Sequence, residues 1–124
     1  MDNIKIVDSN EFVERRAYPR FPVEYVSEVY LGSDILFTTV IDISRGGVGI
    51  RLPKGFDVGF LFDLRINYKL CDSLMAKFER IDIRVMTELV WIKKIDSIYR
   101  GGLKILNIEP KGLAKLEKCL RGLE

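Results

Sequence analysis

This chain of 124 residues contains no histidine, and that absence excludes more chemistry than any other feature of its composition. Serine–histidine and cysteine–histidine nucleophiles are impossible, and the commonest zinc sites lose a principal ligand. Only two cysteines are present, Cys71 and Cys119, far apart and in no CxxC spacing, so reduced thiols are expected instead of a disulfide framework. Apolar runs are strand-sized, well short of the about 20 residues that a membrane helix requires. The start, Met1-Asp2-Asn3, is acidic where a secretory signal would be basic. A cytoplasmic location without membrane insertion is therefore expected. Twenty basic and 18 acidic residues leave a net charge of +2, which argues against a broad basic surface for DNA or RNA. No enzyme motif survives these exclusions.

What is present is an ordinary globular balance, 48% hydrophobic and 31% charged, in a chain long enough for one domain with its own core. Residues 1–14 mix charge with isolated apolar positions and read as a leader, with the domain proper spanning 15–124. After Pro19 and Pro22, Phe21, Val23, Tyr25, Val29 and Leu31 recur on odd positions against Glu24 and Glu28 on even ones, the period of a half-buried strand. Gly32-Ser33-Asp34 turns the chain. The second strand, Ile35 to Ile43, is expected to place Phe37, Thr39, Ile41 and Ile43 on one face and Thr38, Val40 and Asp42 on the other, sending Asp42 outward.

Val48, Ile50 and Leu52 make a third strand that Pro53-Lys54-Gly55 ends. Phe60, Phe62, Leu64, Ile66 and Tyr68 make a fourth with strict alternation. Ile81 to Ile95 is long for one strand, which predicts a bulge near Thr87-Glu88. Its parity places Trp91 in the core in preference to a base-stacking position, and Lys93-Lys94 reads as an edge-strand charge pair. The last strand runs from Tyr99 to Ile108. Between the fourth and fifth strands, Cys71-Asp72-Ser73 followed by Leu74, Met75 and Phe78 suggests a short capped helix within the 69–80 connection. After Pro110, Leu113, Leu116 and Leu120 recur at helical spacing against Lys111, Lys115, Lys118 and Arg121, which predicts an amphipathic C-terminal helix over about 110–122. The expected class is mainly all-β: six antiparallel strands closed into a small barrel, followed by one helix.

Two strings concentrate chemistry. Arg15-Arg16-Ala17-Tyr18-Pro19-Arg20 places three guanidiniums before the first strand, and Asp42-Ile43-Ser44-Arg45-Gly46-Gly47 places a carboxylate, a hydroxyl and paired glycines in a tight turn. Arginine pairs with phosphate oxygens, grips guanine O6 and N7 bidentately, and stacks over a purine face. Asp42 can accept from the guanine N1–H and exocyclic amine, and Ser44 donates or accepts beside it or stabilises its own turn. Gly46 and Gly47 allow a sharp turn and close approach to a flat ligand.

The RxxxR string (Arg16 to Arg20), the DxSxxG string (Asp42 to Gly47) and the Tyr99-Arg100-Gly101-Gly102-Leu103 run together resemble the PilZ domain family over Arg15 to Ile108. That resemblance implies a bacterial β-barrel that binds the second messenger cyclic di-GMP without any cofactor. The implied ligand-binding residues are Arg15, Arg16, Arg20, Asp42, Ser44, Gly46 and Gly47. It further implies that an arginine at position 15 goes with two intercalated ligands per chain. Signalling would follow from ordering of the arginine arm against the barrel, which then engages a protein partner that the sequence does not name. The alternative is a family-like adaptor that binds a protein partner without nucleotide.

Overall fold

The computed structural model describes residues 18–72 and 77–124, and the side chains of 18–68 and 80–124. The described strands are β1 (Phe21–Leu31), β2 (Asp34–Ile43), β3 (Gly47–Leu52), β4 (Leu61–Asp72), β5 (Lys77–Ile95) and β6 (Ile98–Asn107), followed by a helix, α1 (Pro110–Leu123). All pair antiparallel in the order β1-β2-β3-β6-β5-β4, and β4 returns to β1, so the sheet closes into the expected six-stranded barrel. Closure pairs both sides of every strand. The β4–β5 ladder stops at the Leu61–Glu88 pair, so Lys93 and Lys94 lie on the end of β5 that pairs with β6 alone, in keeping with their reading as an edge-strand charge pair.

The inner wall is filled by the period-2 residues of each strand. Val29, Val40, Ile50, Phe62, Leu64, Ile83, Leu89 and Leu103 are all buried. Two bulges change which residues belong to that set. On β2, Val40 pairs with Ile50 but Asp42 pairs with the next residue back, Gly49, so Ile41 is an extra residue in the ladder. The alternation therefore breaks at Ile41. Val40 is buried and Phe37 is 68% exposed, the reverse of the faces expected for them, while Ile43 points in and Asp42 out as expected.

The second bulge lies on β5. Leu89 pairs with Leu103 and Trp91 with Gly102, which makes Val90 the extra residue, and both Leu89 and Val90 are buried. Trp91 is thereby turned out of the core onto the outer wall, contrary to the parity expectation. A further register shift between Met86 and Thr87 matches the bulge expected near Thr87-Glu88. The 69–80 connection also differs from expectation. β4 continues to Asp72 and β5 begins at Lys77, so a long β-hairpin replaces the anticipated capped helix, and Leu74 and Met75 lie outside the described residues.

Helix α1 opens with Pro110 at its first turn and lays Leu116, Cys119 and Leu120 onto the barrel core. The Tyr25 hydroxyl lies 3.6 Å from the Cys119 sulfur, and the Tyr68 hydroxyl donates to the Lys115 carbonyl at 3.2 Å. Burial pushes both the Tyr25 hydroxyl and the Cys119 thiol above their ordinary pKa values, so both stay neutral where the helix meets the core. Cys119 is a free thiol. No described helix is long and apolar enough to cross a membrane.

Leu116 is the most enclosed helix side chain, at 1% exposure. Leu116→Ala is expected to destabilise the protein by about 2–5 kcal/mol. Urea denaturation followed by circular dichroism measures this, and a loss below about 1 kcal/mol would show that α1 is not part of the cooperative core.

Candidate functional site

The DxSxxG string forms the turn between β2 and β3. Ser44 is buried at its centre: its hydroxyl accepts from the amides of Gly46 at 3.2 Å and Gly47 at 3.1 Å, and lies 3.1 Å from the Gly47 carbonyl, to which it can donate. The Ser44 amide also donates to the Gly47 carbonyl at 2.9 Å. The hydroxyl is committed to its own turn, a common use of serine. Gly47 is required there because a Cβ would fall 2.5 Å from the Leu103 carbonyl oxygen. Gly46 lies under the Tyr18 ring, against which a Cβ would be 3.3 Å away.

Directly before the turn, Asp42 points out of the barrel and its Oδ1 accepts from the Arg20 guanidinium. The two side chains are 13% and 24% exposed, so the pair is largely shielded from solvent. Burial pushes the Arg20 pKa down while Asp42 acts in the opposite sense; the guanidinium remains a cation throughout the physiological range. The Nε of Arg20 is buried and has no hydrogen-bond partner among the described residues. Arg20 thus fixes the start of β1 to the turn across a gap of 22 residues in sequence.

The outer wall beyond Asp42 is a cross-strand row. Asp42 lies opposite Gly49, Gly49 opposite Gly102, and Gly102 opposite Trp91. The two glycines face outward, since Val48, Ile50 and Leu103 beside them face the core. Neither position has room for a side chain. A Cβ on Gly49 would lie 2.4 Å from Asp42 Oδ2, and one on Gly102 would lie 2.0 Å from Trp91 Nε1. The carboxylate lies over one glycine and the indole over the other, so both glycines are buried beneath them and the row presents an acceptor near an aromatic ring. Oδ2 makes no hydrogen bond among the described residues. An acceptor near an aromatic ring suits a flat heteroaromatic group that donates hydrogen bonds from one edge.

Of the residues anticipated from sequence, the structure brings Arg20, Asp42, Ser44, Gly46 and Gly47 together, while Arg15 and Arg16 lie outside the described residues. Sequence reasoning missed Gly49 and Gly102 and placed Trp91 inside. A signal for Gly102 existed in the paired glycines of Gly101-Gly102, because two adjacent glycines in a strand interior point to close approaches on both faces. Arg45, inside the motif, turns away from the row. Its guanidinium pairs with Glu117 of α1 at 3.1 Å and lies 5.9 Å from the Tyr18 ring centroid.

A closed six-stranded barrel with an arginine pinned to a DxSxxG turn on its outer wall defines a class of small β-barrel domain. The sequence profile of the PilZ domain matches residues 14–122, and the chain belongs to the PilZ domain family. Among solved structures it is similar to the inhibitor of motility MotI/DgrA of Bacillus subtilis, with a TM-score of 0.70 and 19% identity over 87% of this chain and 51% of that one. The PilZ domain of Escherichia coli YcgR, solved with cyclic di-GMP, gives a TM-score of 0.67 and 20% identity over 88% of this chain and 91% of that domain. Borreliella burgdorferi PlzA, solved in complex with cyclic di-GMP, gives 0.54 and 14% over 88% of this chain and 52% of that protein. The chain thus spans about half the length of MotI/DgrA and of PlzA. No curated protein sequence matches significantly.

The glycine row is tested through Trp91, the sole tryptophan. Gly102→Val is expected to displace the indole from its seat and red-shift its fluorescence emission, since the ring must move into water. Unchanged emission in a folded variant would show that the indole does not rest on Gly102.

Proposed function

We propose that this PilZ domain is a receptor for cyclic di-GMP, and that the outer-wall row of Asp42, Gly49, Gly102 and Trp91 receives a guanine. The observation that carries the reading is Asp42 itself: one oxygen is held by Arg20 and the other has no hydrogen-bond partner among the described residues. Guanine presents two donors, N1–H and the exocyclic amine, on one edge. Asp42 Oδ2 accepts from that edge, and the indole of Trp91 lies at the far end of the row. The complexes of YcgR and PlzA with cyclic di-GMP support the same ligand for this chain.

Arg16 and Arg20 supply the charge and the bidentate guanine or phosphate contacts, and Gly46 and Gly47 let the turn approach the ligand closely. Ser44 contributes by holding the turn in shape. Cyclic di-GMP bridging Arg15 and Arg16 to the barrel wall fixes the arm there, and the fixed arm is the surface that a protein partner reads. Several charge-assisted contacts are needed to exceed the entropy lost in fixing that segment.

Calorimetric titration tests the assignment. Arg16→Ala and Arg20→Ala are each expected to weaken cyclic di-GMP binding by about 5- to 150-fold, the range that a bidentate guanine contact of about 1–3 kcal/mol provides. Arg20→Ala also loses some stability, because it leaves the half-shielded Asp42 without its partner. Cyclic di-AMP, which lacks guanine's pair of edge donors, is expected to bind far more weakly. Equal affinity for the two nucleotides would remove base reading from Asp42.

Stoichiometry tests Arg15. Two stacked ligands bring four phosphate charges to one site, and a third guanidinium neutralises what Arg16 and Arg20 leave uncovered. Titration well above the dissociation constant should give two ligands per chain, falling toward one in Arg15→Leu. A ratio of one in both proteins would refute this role for Arg15 and leave the receptor assignment intact.

A further inference from the structure

Next to the glycine row runs a second outer row made only of cations. Arg51 on β3 lies directly opposite Arg100 on β6, and Arg100 directly opposite Lys93 on β5. All three are exposed. Residues directly opposite on one face have Cβ atoms about 5 Å apart, and like charges so placed destabilise a sheet. Among the described residues, the only acid paired with any of the three is Glu24, which reaches Arg51 at 3.7 Å and is itself 77% exposed.

The same barrel shows how such a clash is otherwise resolved. On its β4–β5 face Arg65 lies directly opposite Arg84, but acids are interleaved with them: Arg65 pairs with Asp82 at 2.5 Å and Arg84 with Asp63 at 3.0 Å. Glu28 adds a third acid, 3.6 Å from Arg65. Those arginines are neutralised within the fold. Those of the β3–β6–β5 row are not, and the neighbouring row on one side consists of Gly49, Gly102 and Trp91. Surface charge for solubility alone would gain nothing from stacking like charges opposite one another across three strands.

We infer that Arg51, Arg100 and Lys93 form an anion subsite that takes the phosphodiester groups of the cyclic dinucleotide whose base is read by Asp42. The inference deepens the receptor reading and rests on it. A base read in the row of Asp42 and Trp91 carries its sugar and phosphate beyond that row, and the cation row lies directly beside it. Guanidiniums from β3 and β6 then contact phosphate oxygens while Lys93 adds charge at the far end. The mutual repulsion that the empty row carries is relieved when the dianion binds, which adds to the preference for the bound state.

The test uses the full chain and the double variant Arg100→Gln/Lys93→Gln, with cyclic di-GMP followed by calorimetry and inorganic pyrophosphate followed by amide chemical shifts. Without ligand the variant should be as stable as the wild type or more so, because a repulsion has been removed. It should bind cyclic di-GMP about tenfold more weakly, with a shallower salt dependence. Pyrophosphate should shift the amides of Arg51, Arg100 and Gly101 in the wild type and not in the variant. If cyclic di-GMP binds both proteins equally, the row is overturned while the receptor reading stands. A variant less stable than the wild type would also overturn it, by showing that the cations serve the fold. If the wild type does not bind cyclic di-GMP but pyrophosphate still shifts the row, the receptor reading fails and the anion subsite survives. If neither ligand acts on the wild type, both fail.

Discussion

Two outward-facing glycines, side by side on β3 and β6, are the constraint on which the outer wall depends. A Cβ at Gly49 would overlap the Asp42 carboxylate, and one at Gly102 would overlap the Trp91 indole. A small barrel has its interior filled by side chains, so any ligand must be received outside. Here the absence of two Cβ atoms lets the Asp42 carboxylate and the Trp91 indole lie flat against the wall. That arrangement is a property of the strand register as much as of residue identity. A shift of one residue in β3 or β6 would bring Ile50 or Leu103 to the outer face.

Register in turn depends on the two bulges. Without the extra residue at Ile41, the alternation that buries Val40 would send Asp42 into the core, where an ionised carboxylate is strongly disfavoured. Without the extra residue at Val90, Trp91 would face inward beside Leu89. Each bulge turns one side chain, Asp42 or Trp91, to the outer wall while the hydrophobic side chains that follow it, Ile43 and Ile92, return to the inside. The ladder irregularities thus supply the groups of the proposed site at the cost of local pairing.

Much of this was legible beforehand and some was not, for identifiable reasons. Strand existence followed from period-2 alternation, and the helix from the spacing of Leu113, Leu116 and Leu120, because those patterns extend over many residues. The motif residues Arg20, Asp42 and Gly47 were legible because few arrangements require that chemistry in that order. Phe37 and Trp91 were assigned to the wrong faces since alternation counts residues, and a bulge adds one without changing the composition of the strand. Lys93 and Lys94 lie where β5 runs past the last β4 pair, Leu61 with Glu88, so a charge pair suits that locally unpaired side even in a closed barrel. The long β4–β5 hairpin was missed because Leu74, Met75 and Phe78 have helical spacing, whereas the pairing of Asp72 with Lys77 is non-local information.

The DxSxxG turn also has a second attachment, on the side away from the row of Asp42 and Trp91. Asp42 at its start is held by Arg20, and Arg45 near its middle is held by Glu117 of α1 and by proximity to Tyr18. These contacts differ in kind. The Arg20–Asp42 pair is shielded and desolvated, so breaking it strands a charge; the Arg45–Glu117 pair is 50% and 36% exposed, so water can replace either partner at little cost. The turn is consequently anchored firmly on the side of the outer-wall row and loosely on the side that meets the helix. Between the two anchors the Ser44 hydroxyl ties the Gly46 and Gly47 backbone into one hydrogen-bonded unit, so the turn holds its shape whichever anchor gives way.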